Sequence, residues 1–132
     1  MPKCILIADD NEVIRRSLRF LFRQDEDWKI CAEAVNGRDA VEKAQQLHPD
    51  LVVLDFAMPV MNGLEAASQL KQGNPMLPIV MLTAFKDRFL EEKAYEAGVS
   101  LILSKSDDAN RVVNFARILL KADSGTTAGN EH

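Results

Sequence analysis

The chain of 132 residues lacks several features that mark specialised proteins. Its apolar runs are much shorter than the ~18 residues that a membrane-spanning helix requires. Its apolar start reaches Asp9 and Asp10 too early for a signal peptide. The net charge is −4, and no block of basic residues marks a surface for nucleic acid or an anionic membrane. We therefore expect a cytoplasmic protein that contacts neither nucleic acid nor membrane directly.

Cysteine and histidine are scarce, with two of each. Cys4 and Cys31 lie in apolar, strand-like runs and form no C-x-x-C pair. We expect buried, reduced thiols in a cytoplasmic protein, although the sequence leaves a disulfide open. His48 precedes Pro49 and is typical of a helix end, so no histidine-based metal site or catalytic triad is indicated. The chain also lacks the G-x-G-x-x-G and P-loop patterns of nucleotide-binding proteins.

The chain does contain a regular alternation of short apolar runs and helical patterns. Four runs are almost continuously apolar, as in parallel strands that are buried on both faces. These runs cover residues 4–8, 51–54, 79–82 and 101–103. A weaker run over 29–34, interrupted by Glu33, predicts an edge strand. With five helical patterns in the gaps, we predict an α/β fold: a doubly wound, five-stranded parallel sheet in the order 2-1-3-4-5 with five helices.

Two further expectations concern the helices and the tail. The first helical pattern has Ile14 and Leu18 on its apolar face, and we predict that Arg15 and Arg19 point away from the core. The segment 123–132 is rich in Gly, Ser and Thr, which predicts a disordered tail or the start of a linker. The folded domain would then cover residues 1–122.

Polar residues follow four of the predicted strands. They are Asp9 and Asp10 after the first, Asp55 after the third, Thr83 after the fourth and Lys105 after the fifth. Because ligands of open parallel sheets bind outside the carboxyl ends of the strands, we expect these side chains to converge. Each has an ordinary alternative when taken alone, as a helix cap, a turn residue or a surface residue. Their joint occurrence at one edge favours a functional site.

Three clustered carboxylates repel one another, and a cation would keep them ionised at neutral pH. Mg²⁺ fits because it takes oxygen ligands and couples to phosphates, and Mn²⁺ is an acceptable substitute. We expect Asp10 and Asp55 to hold the ion, with Asp9 binding it directly or through water. Asp55 could then act as a nucleophile and form an acyl phosphate, assisted by Lys105 and by the Thr83 hydroxyl.

The residues around Asp55 resemble a known family motif. The stretch 55–63, D-F-A-M-P-V-M-N-G, is similar to D-x-x-M-P-x-x-x-G, the phosphorylation-site signature of response-regulator receiver domains, which are CheY-like phosphoacceptors of two-component systems. The other polar strand-end residues stand where the family's remaining active-site positions belong, and the resemblance covers about residues 3–121. Residues 31–37 and 97–98 are most similar to receivers that carry a C-terminal helix-turn-helix.

This resemblance implies a role in phosphorelay signal transduction. A histidine kinase or a histidine phosphotransfer protein would phosphorylate Asp55, and the main-chain carbonyl of Ala57 would complete the protein ligands to Mg²⁺. The output partner would be a downstream effector protein or a second copy of the chain. The domain would be free-standing or cut from a larger regulator, and it would not be an enzyme beyond promoting its own phosphorylation and dephosphorylation.

Three departures from the family pattern bear on the switch. Ile102 stands where an aromatic residue is usual, so an aromatic-gated switch is not expected in its ordinary form. Ser106 replaces the proline that usually follows Lys105, which favours a trans bond. Ala57 and Phe85 occupy the two positions thought to tune phosphoryl lifetime, and since neither hydrogen-bonds an attacking water, we predict slow dephosphorylation.

Two other functions share parts of this pattern. A dehalogenase-type phosphatase also uses a strand-end aspartate and Mg²⁺, but it needs a second carboxylate where this chain has Ala57. A degenerate receiver would bind a partner without being phosphorylated. Ile102 leaves that alternative open, while the complete set of strand-end polar residues argues against it.

Overall fold

The structure of the protein, a computed structural model, describes residues 2–107 and 109–129, with side chains up to residue 119. The strands are β1 (Lys3–Ala8), β2 (Trp28–Ala34), β3 (Leu51–Asp55), β4 (Ile79–Thr83) and β5 (Leu101–Ser104). The helices are α1 (Glu12–Phe22), α2 (Gly37–Leu47), α3 (Gly63–Gly73), α4 (Arg88–Glu96) and α5 (Asn110–Gly129). The strands are parallel and lie in the order β2-β1-β3-β4-β5, which confirms the predicted fold class.

The sheet separates two apolar clusters. One contains Leu6, Val52 and Met81 and packs against α2, α3 and α4. The other contains Ile5 and Val53 and packs against α1 and α5. Since successive residues of the central strands are buried on opposite faces, their sequences are continuously apolar rather than alternating. Each fully buried aliphatic side chain contributes about 1.5–3 kcal/mol to folding.

Four helices begin at a residue whose side chain caps the first turn. These residues are Asn11, Asn36, Asn62 and Asp87, and each accepts a hydrogen bond from a backbone N–H of its helix. A cap of this kind is worth about 1 kcal/mol. Since Asn11 caps α1, helix capping does not explain Asp9 and Asp10, and these two carboxylates remain available for another role.

The last helix is longer than the sequence predicts. α5 continues to Gly129, so residues 123–129 are helical where we expected a disordered tail or linker. Extending an existing helix costs much less than nucleating one, which lets the segment continue α5 despite its glycines. Residues 130–132 lie outside the described residues, and the domain boundary at residue 122 stays a prediction. Within the described chain, no helix is long and apolar enough to cross a membrane.

The expectation of reduced thiols is wrong, because a disulfide joins Cys4 and Cys31. The β1–β2 ladder shifts register between Ile5 and Leu6, which leaves Cys31 as the extra residue of a bulge in β2. The two Cα atoms are 5.5 Å apart. Their sequence separation of 27 residues gave no sign of this, since the contact depends on how the two strands are aligned.

Candidate functional site

The carboxyl ends of the strands bring the predicted polar residues together at one edge of the sheet. Carboxylate oxygens of Asp9, Asp10 and Asp55 lie within 4.8 Å of one another. The Nζ of Lys105 lies 3.0 Å from Asp9 Oδ2 and 3.1 Å from Asp55 Oδ1. We call these four residues the acidic pocket. They come from the ends of β1, β3 and β5, as the sequence predicts.

Burial and charge act together on the acidic pocket. Asp9 and Asp55 are only 1% and 2% exposed, whereas Asp10 is open to solvent. Burial, and then the negative charge of Asp9, raise the pKa of Asp55 to about 6, although Lys105 and the N–H of Ala57 oppose the rise. Burial tends to lower the pKa of Lys105, but its two carboxylate partners outweigh burial and raise it. The pocket therefore has more negative charge than its single ammonium group balances.

The donor set of the acidic pocket fits a magnesium ion. Asp9 Oδ1 accepts a hydrogen bond from the N–H of Asn11 at 2.9 Å, and the buried Asp9 Oδ2 lies 3.0 Å from the ammonium group of Lys105. That ammonium group is shared with Asp55, so a second cation would lower the cost of burying both carboxylates. Mg²⁺ takes carboxylate oxygens as ligands, and three carboxylates lie within reach of one ion.

Thr83 lies beside the acidic pocket, but its hydroxyl is bound within its own loop. The side chain is buried, and its Oγ1 donates to the carbonyl of Phe85 at 3.2 Å while the N–H of Phe85 approaches the same oxygen at 3.3 Å. The N–H of Lys105 donates to the carbonyl of Thr83 at 2.7 Å, which ties the ends of β4 and β5 together. Contact between the hydroxyl and a group on Asp55 would require Thr83 to exchange these partners.

The residues proposed to modulate the switch differ in their surroundings. Ala57 is exposed, and the side chain of Phe85 is 77% exposed, so little of Phe85 packs against α4. Ile102 is 1% exposed and belongs to the apolar cluster beneath α4, together with Leu90. The peptide bonds of the described residues are all trans, including the bond after Lys105, as predicted.

Comparisons with known proteins agree with this arrangement. The family model for the response regulator receiver domain matches residues 5–117. The chain belongs to this receiver domain family. The receiver is 39% identical over 109 residues to the transcriptional regulatory protein LnrK of Bacillus subtilis, covering 83% of this chain and 50% of LnrK. It is 42% identical over 105 residues to the transcriptional regulatory protein PdtaR of Mycobacterium tuberculosis, covering 80% of this chain and 50% of PdtaR.

Solved structures of response regulators have the same architecture as the receiver. A LuxR-family two-component response regulator from Aurantimonas sp. SI85-9A1 matches it with a TM-score of 0.85 at 27% identity, over 92% of this chain and 87% of that one. A LuxR-family DNA-binding response regulator from Staphylococcus aureus matches with a TM-score of 0.81 at 27% identity, over 87% and 96%. The predicted family is confirmed, and the receiver spans about half the length of the curated relatives it matches.

Gly63, the last residue of the receiver's D-x-x-M-P-x-x-x-G motif, allows α3 to approach the backbone of Asp55. A Cβ at this position would lie 2.5 Å from the carbonyl oxygen of Asp55, much closer than atoms can pack. The N–H of Gly63 donates to the carbonyl of Phe56 at 2.7 Å. The motif's glycine therefore positions the loop that follows the strand-end aspartate.

Val60, in the same loop of the receiver, has a left-handed backbone conformation that the sequence did not indicate. Its φ is +70°, which is unfavourable for a β-branched residue. Its side chain is 68% exposed, so little packing compensates the strain. A glycine or asparagine at this position would have indicated the turn, but valine gives no such signal.

Arg15 and Arg19 belong to neither apolar cluster, but they form ion pairs rather than simply facing solvent. The side chain of Arg15 is 13% exposed and lies 3.0 Å from a carboxylate oxygen of Glu33, while Arg19 lies 2.6 Å from Glu33. Arg15 also donates to the carbonyl of Asp9 at 2.7 Å. These contacts connect β2 and α1 to the loop of the acidic pocket. The sequence signal was Glu33 itself, the carboxylate that interrupts the apolar residues of β2.

Proposed function

We propose that the receiver is a phosphoacceptor switch, and that a histidine kinase or a histidine phosphotransfer protein phosphorylates it on Asp55. The arrangement of Asp55 is the main support: a buried carboxylate, 3.1 Å from an ammonium group, in a cluster with two further carboxylates. A purely structural carboxylate would be balanced by its cations, whereas here one ammonium group lies among three carboxylates. This role implies a cytoplasmic location, where ATP-dependent kinases act.

The chemistry uses the carboxylate of Asp55 as a nucleophile. One Oδ attacks phosphorus, the bond between phosphorus and the donor's imidazole nitrogen breaks, and an acyl phosphate forms on Asp55. Lys105 already contacts both buried carboxylates and places a positive charge beside the incoming phosphoryl oxygens. A bound Mg²⁺, held by Asp9, Asp10, Asp55 and the main-chain carbonyl of Ala57, would supply the remaining neutralising charge.

Thr83 is the residue through which the receiver would sense phosphorylation. Its hydroxyl leaves the backbone of Phe85 and donates to a phosphoryl oxygen on Asp55, which draws the β4–α4 loop toward the site. The face that carries Phe89 and α5, above the buried Ile102, would then shift between two populations. Phe89 is already 69% exposed in the unphosphorylated receiver. We infer that this face binds the downstream effector protein or a second copy of the chain.

The acyl phosphate should hydrolyse slowly. Hydrolysis needs a water molecule positioned opposite the phosphorus–oxygen bond, and a polar side chain near the site would orient it. Ala57 has no polar group in its side chain, and Phe85, in the β4–α4 loop, has only an apolar ring. The receiver would therefore hold its phosphorylated state until a partner or slow hydrolysis removes it.

Intact mass after incubation with acetyl phosphate tests this function. The receiver, Asp55→Asn and the control Asp27→Asn, which changes an exposed carboxylate, are each treated with and without Mg²⁺. We expect one added phosphoryl group in the receiver and the control, only with Mg²⁺, and none in Asp55→Asn. A folded receiver that binds Mg²⁺ but gains no phosphoryl group would instead be a phosphorylation-independent binding module.

A further inference from the structure

The cysteine pair forms a second chemical site, apart from the acidic pocket. Cys4 lies near the start of β1 and Asp9 follows its end, about 16 Å away for a strand that rises about 3.3 Å per residue. The Cα separation of Cys4 and Cys31, 5.5 Å, is typical of disulfide-bonded residues. None of the contacts proposed for phosphorylation involves either sulfur atom.

One member of the pair, Cys31, lies in the edge strand of the sheet. Both cysteines are half-buried, whereas the neighbouring Ile5 is completely buried. Within the sheet, β2 is the edge strand and pairs only with β1. Edge elements with a single neighbour open locally at lower free energy than central strands. Small thiol reagents can therefore reach the sulfur atoms without global unfolding.

Other contacts hold the two cysteines together, so the disulfide is not needed to bring them close. Asp50 Oδ2 accepts the N–H of Cys4 at 2.7 Å, and the N–H of Asp50 donates to the carbonyl of Cys4 at 2.7 Å. The strand pairs Ile5–Ile30 and Leu6–Ala32 flank the bulge that contains Cys31. Reduced thiols held in this way would have a high effective concentration toward each other, which favours reversible exchange.

We propose that Cys4 and Cys31 are a reversible dithiol–disulfide site that exchanges with low-molecular-weight thiols and disulfides. One protein thiolate attacks glutathione disulfide, and a glutathione thiolate leaves. The second protein thiolate attacks the mixed disulfide at the protein sulfur, and a second glutathione thiolate leaves. Two electrons pass to glutathione, and the two protons of the protein thiols end on the two glutathione thiols.

The oxidised state would hold the edge strand in place. The disulfide ties β2 to β1 two residues before Glu33, whose carboxylate binds Arg15 and Arg19. At the end of β2, the carbonyl of Ala34 accepts the N–H of Asp9 at 3.0 Å. Reduction removes the covalent tie and leaves the β1–β2 ladder and these non-covalent contacts to keep β2 on the sheet. The redox state therefore sets how readily β2 opens.

The first experiment follows thiol oxidation in the folded, unphosphorylated receiver. Samples equilibrated at a series of glutathione-to-glutathione-disulfide ratios are quenched with acid, alkylated with N-ethylmaleimide and weighed intact. We expect one cooperative step from two alkyl groups to none, with loss of two hydrogen atoms, and its reversal by dithiothreitol. Two alkyl groups at every ratio, a glutathione adduct that never resolves, or a disulfide that excess dithiothreitol cannot reduce in the folded receiver would overturn the proposal.

Hydrogen exchange then tests the effect on β2. We expect the amides of β2 to exchange at least about tenfold faster in the reduced receiver than in the oxidised one, while the amides of β4 change little. The double variant Cys4→Ser, Cys31→Ser should behave like the reduced receiver at every glutathione ratio. Equal exchange in the two redox states of the wild-type receiver would overturn the link between the disulfide and β2, whether or not the variant folds.

Discussion

Replacing Asp55 with asparagine should stabilise the metal-free receiver at neutral pH. Burial and the charge of Asp9 raise the pKa of Asp55 to about 6, whereas the pKa of an aspartate in an unfolded chain is about 3.9. Folding at pH 7 therefore keeps Asp55 ionised in a place that disfavours its charge. Asparagine has nearly the same size without the charge, and Lys105 keeps its contact with Asp9.

The magnitude and the sign follow from proton linkage. The difference between a pKa of about 6 and one of about 3.9 corresponds to about 3 kcal/mol, which is the upper limit. The pKa of about 6 already includes the attraction of Lys105, so only imperfect hydrogen bonding of the new amide reduces the gain, and we expect about 1–2 kcal/mol. The folded state binds the proton of Asp55 more tightly than the unfolded state. Through this group, the unfolding free energy of the wild type therefore falls as the pH rises from about 4 to about 6. The gain in unfolding free energy of Asp55→Asn over the wild type is complete above about pH 6 and absent near pH 4.

Urea unfolding, followed by fluorescence, measures this difference. The single tryptophan, Trp28, is 5% exposed and packs edge-to-face on Phe22, so unfolding changes its environment. Glu26→Gln removes an exposed charge and should change the unfolding free energy by less than about 0.5 kcal/mol. Added Mg²⁺ should stabilise the wild type more than Asp55→Asn and narrow the gap. A variant that is less stable than the wild type at pH 7.5 in EDTA, or a gap that is the same at pH 4 and pH 8, would refute the reasoning.

Three further predictions concern the loops around Asp55. Gly63→Ala should destabilise the receiver by about 1–3 kcal/mol in the same urea assay, because its Cβ would meet the Asp55 carbonyl at 2.5 Å. The control Gly73→Ala, whose Cβ would have no atom within 4 Å, should be neutral or stabilising. Equal changes in unfolding free energy for the two variants would contradict this prediction. Val60→Gly should raise the unfolding free energy by about 0.5–1 kcal/mol by relieving its left-handed strain, and an unchanged urea midpoint would mean that the valine makes compensating contacts. The acyl phosphate, followed by intact mass in Mg²⁺ buffer, should last longer than about one minute. Ala57→Asn should shorten this lifetime because an amide can orient a water molecule. Loss of the phosphoryl group from the wild type within seconds would contradict the prediction.

The sheet topology and the acidic pocket were predictable because both follow from local features of the chain. Buried parallel strands must be continuously apolar, and residues that follow them must meet at one edge. Asp55 and Lys105 could therefore be placed together although 50 residues separate them in the printed sequence.

The features that sequence reasoning missed depend on alignment between segments. The contact between Cys4 and Cys31 requires the bulge in β2, and the contacts of Arg15 require that Glu33 faces α1. A one-residue change in strand register would reverse either outcome. The left-handed conformation of Val60 was missed for another reason. The backbone preference of valine disfavours a positive φ, so the surrounding loop must impose it.

Because the sheet divides the interior into two apolar clusters, each cluster can accept substitutions separately during evolution. Ile5 and Leu6 are neighbours in sequence, yet they pack into different apolar clusters on opposite faces. Substitutions in the two clusters should therefore have nearly additive effects on stability, since their side chains share no partners. Residues on one face of the sheet can be substituted during evolution while those on the other face are retained. The surface of α1 and α5 can therefore acquire new binding partners without a change in the packing beneath α4.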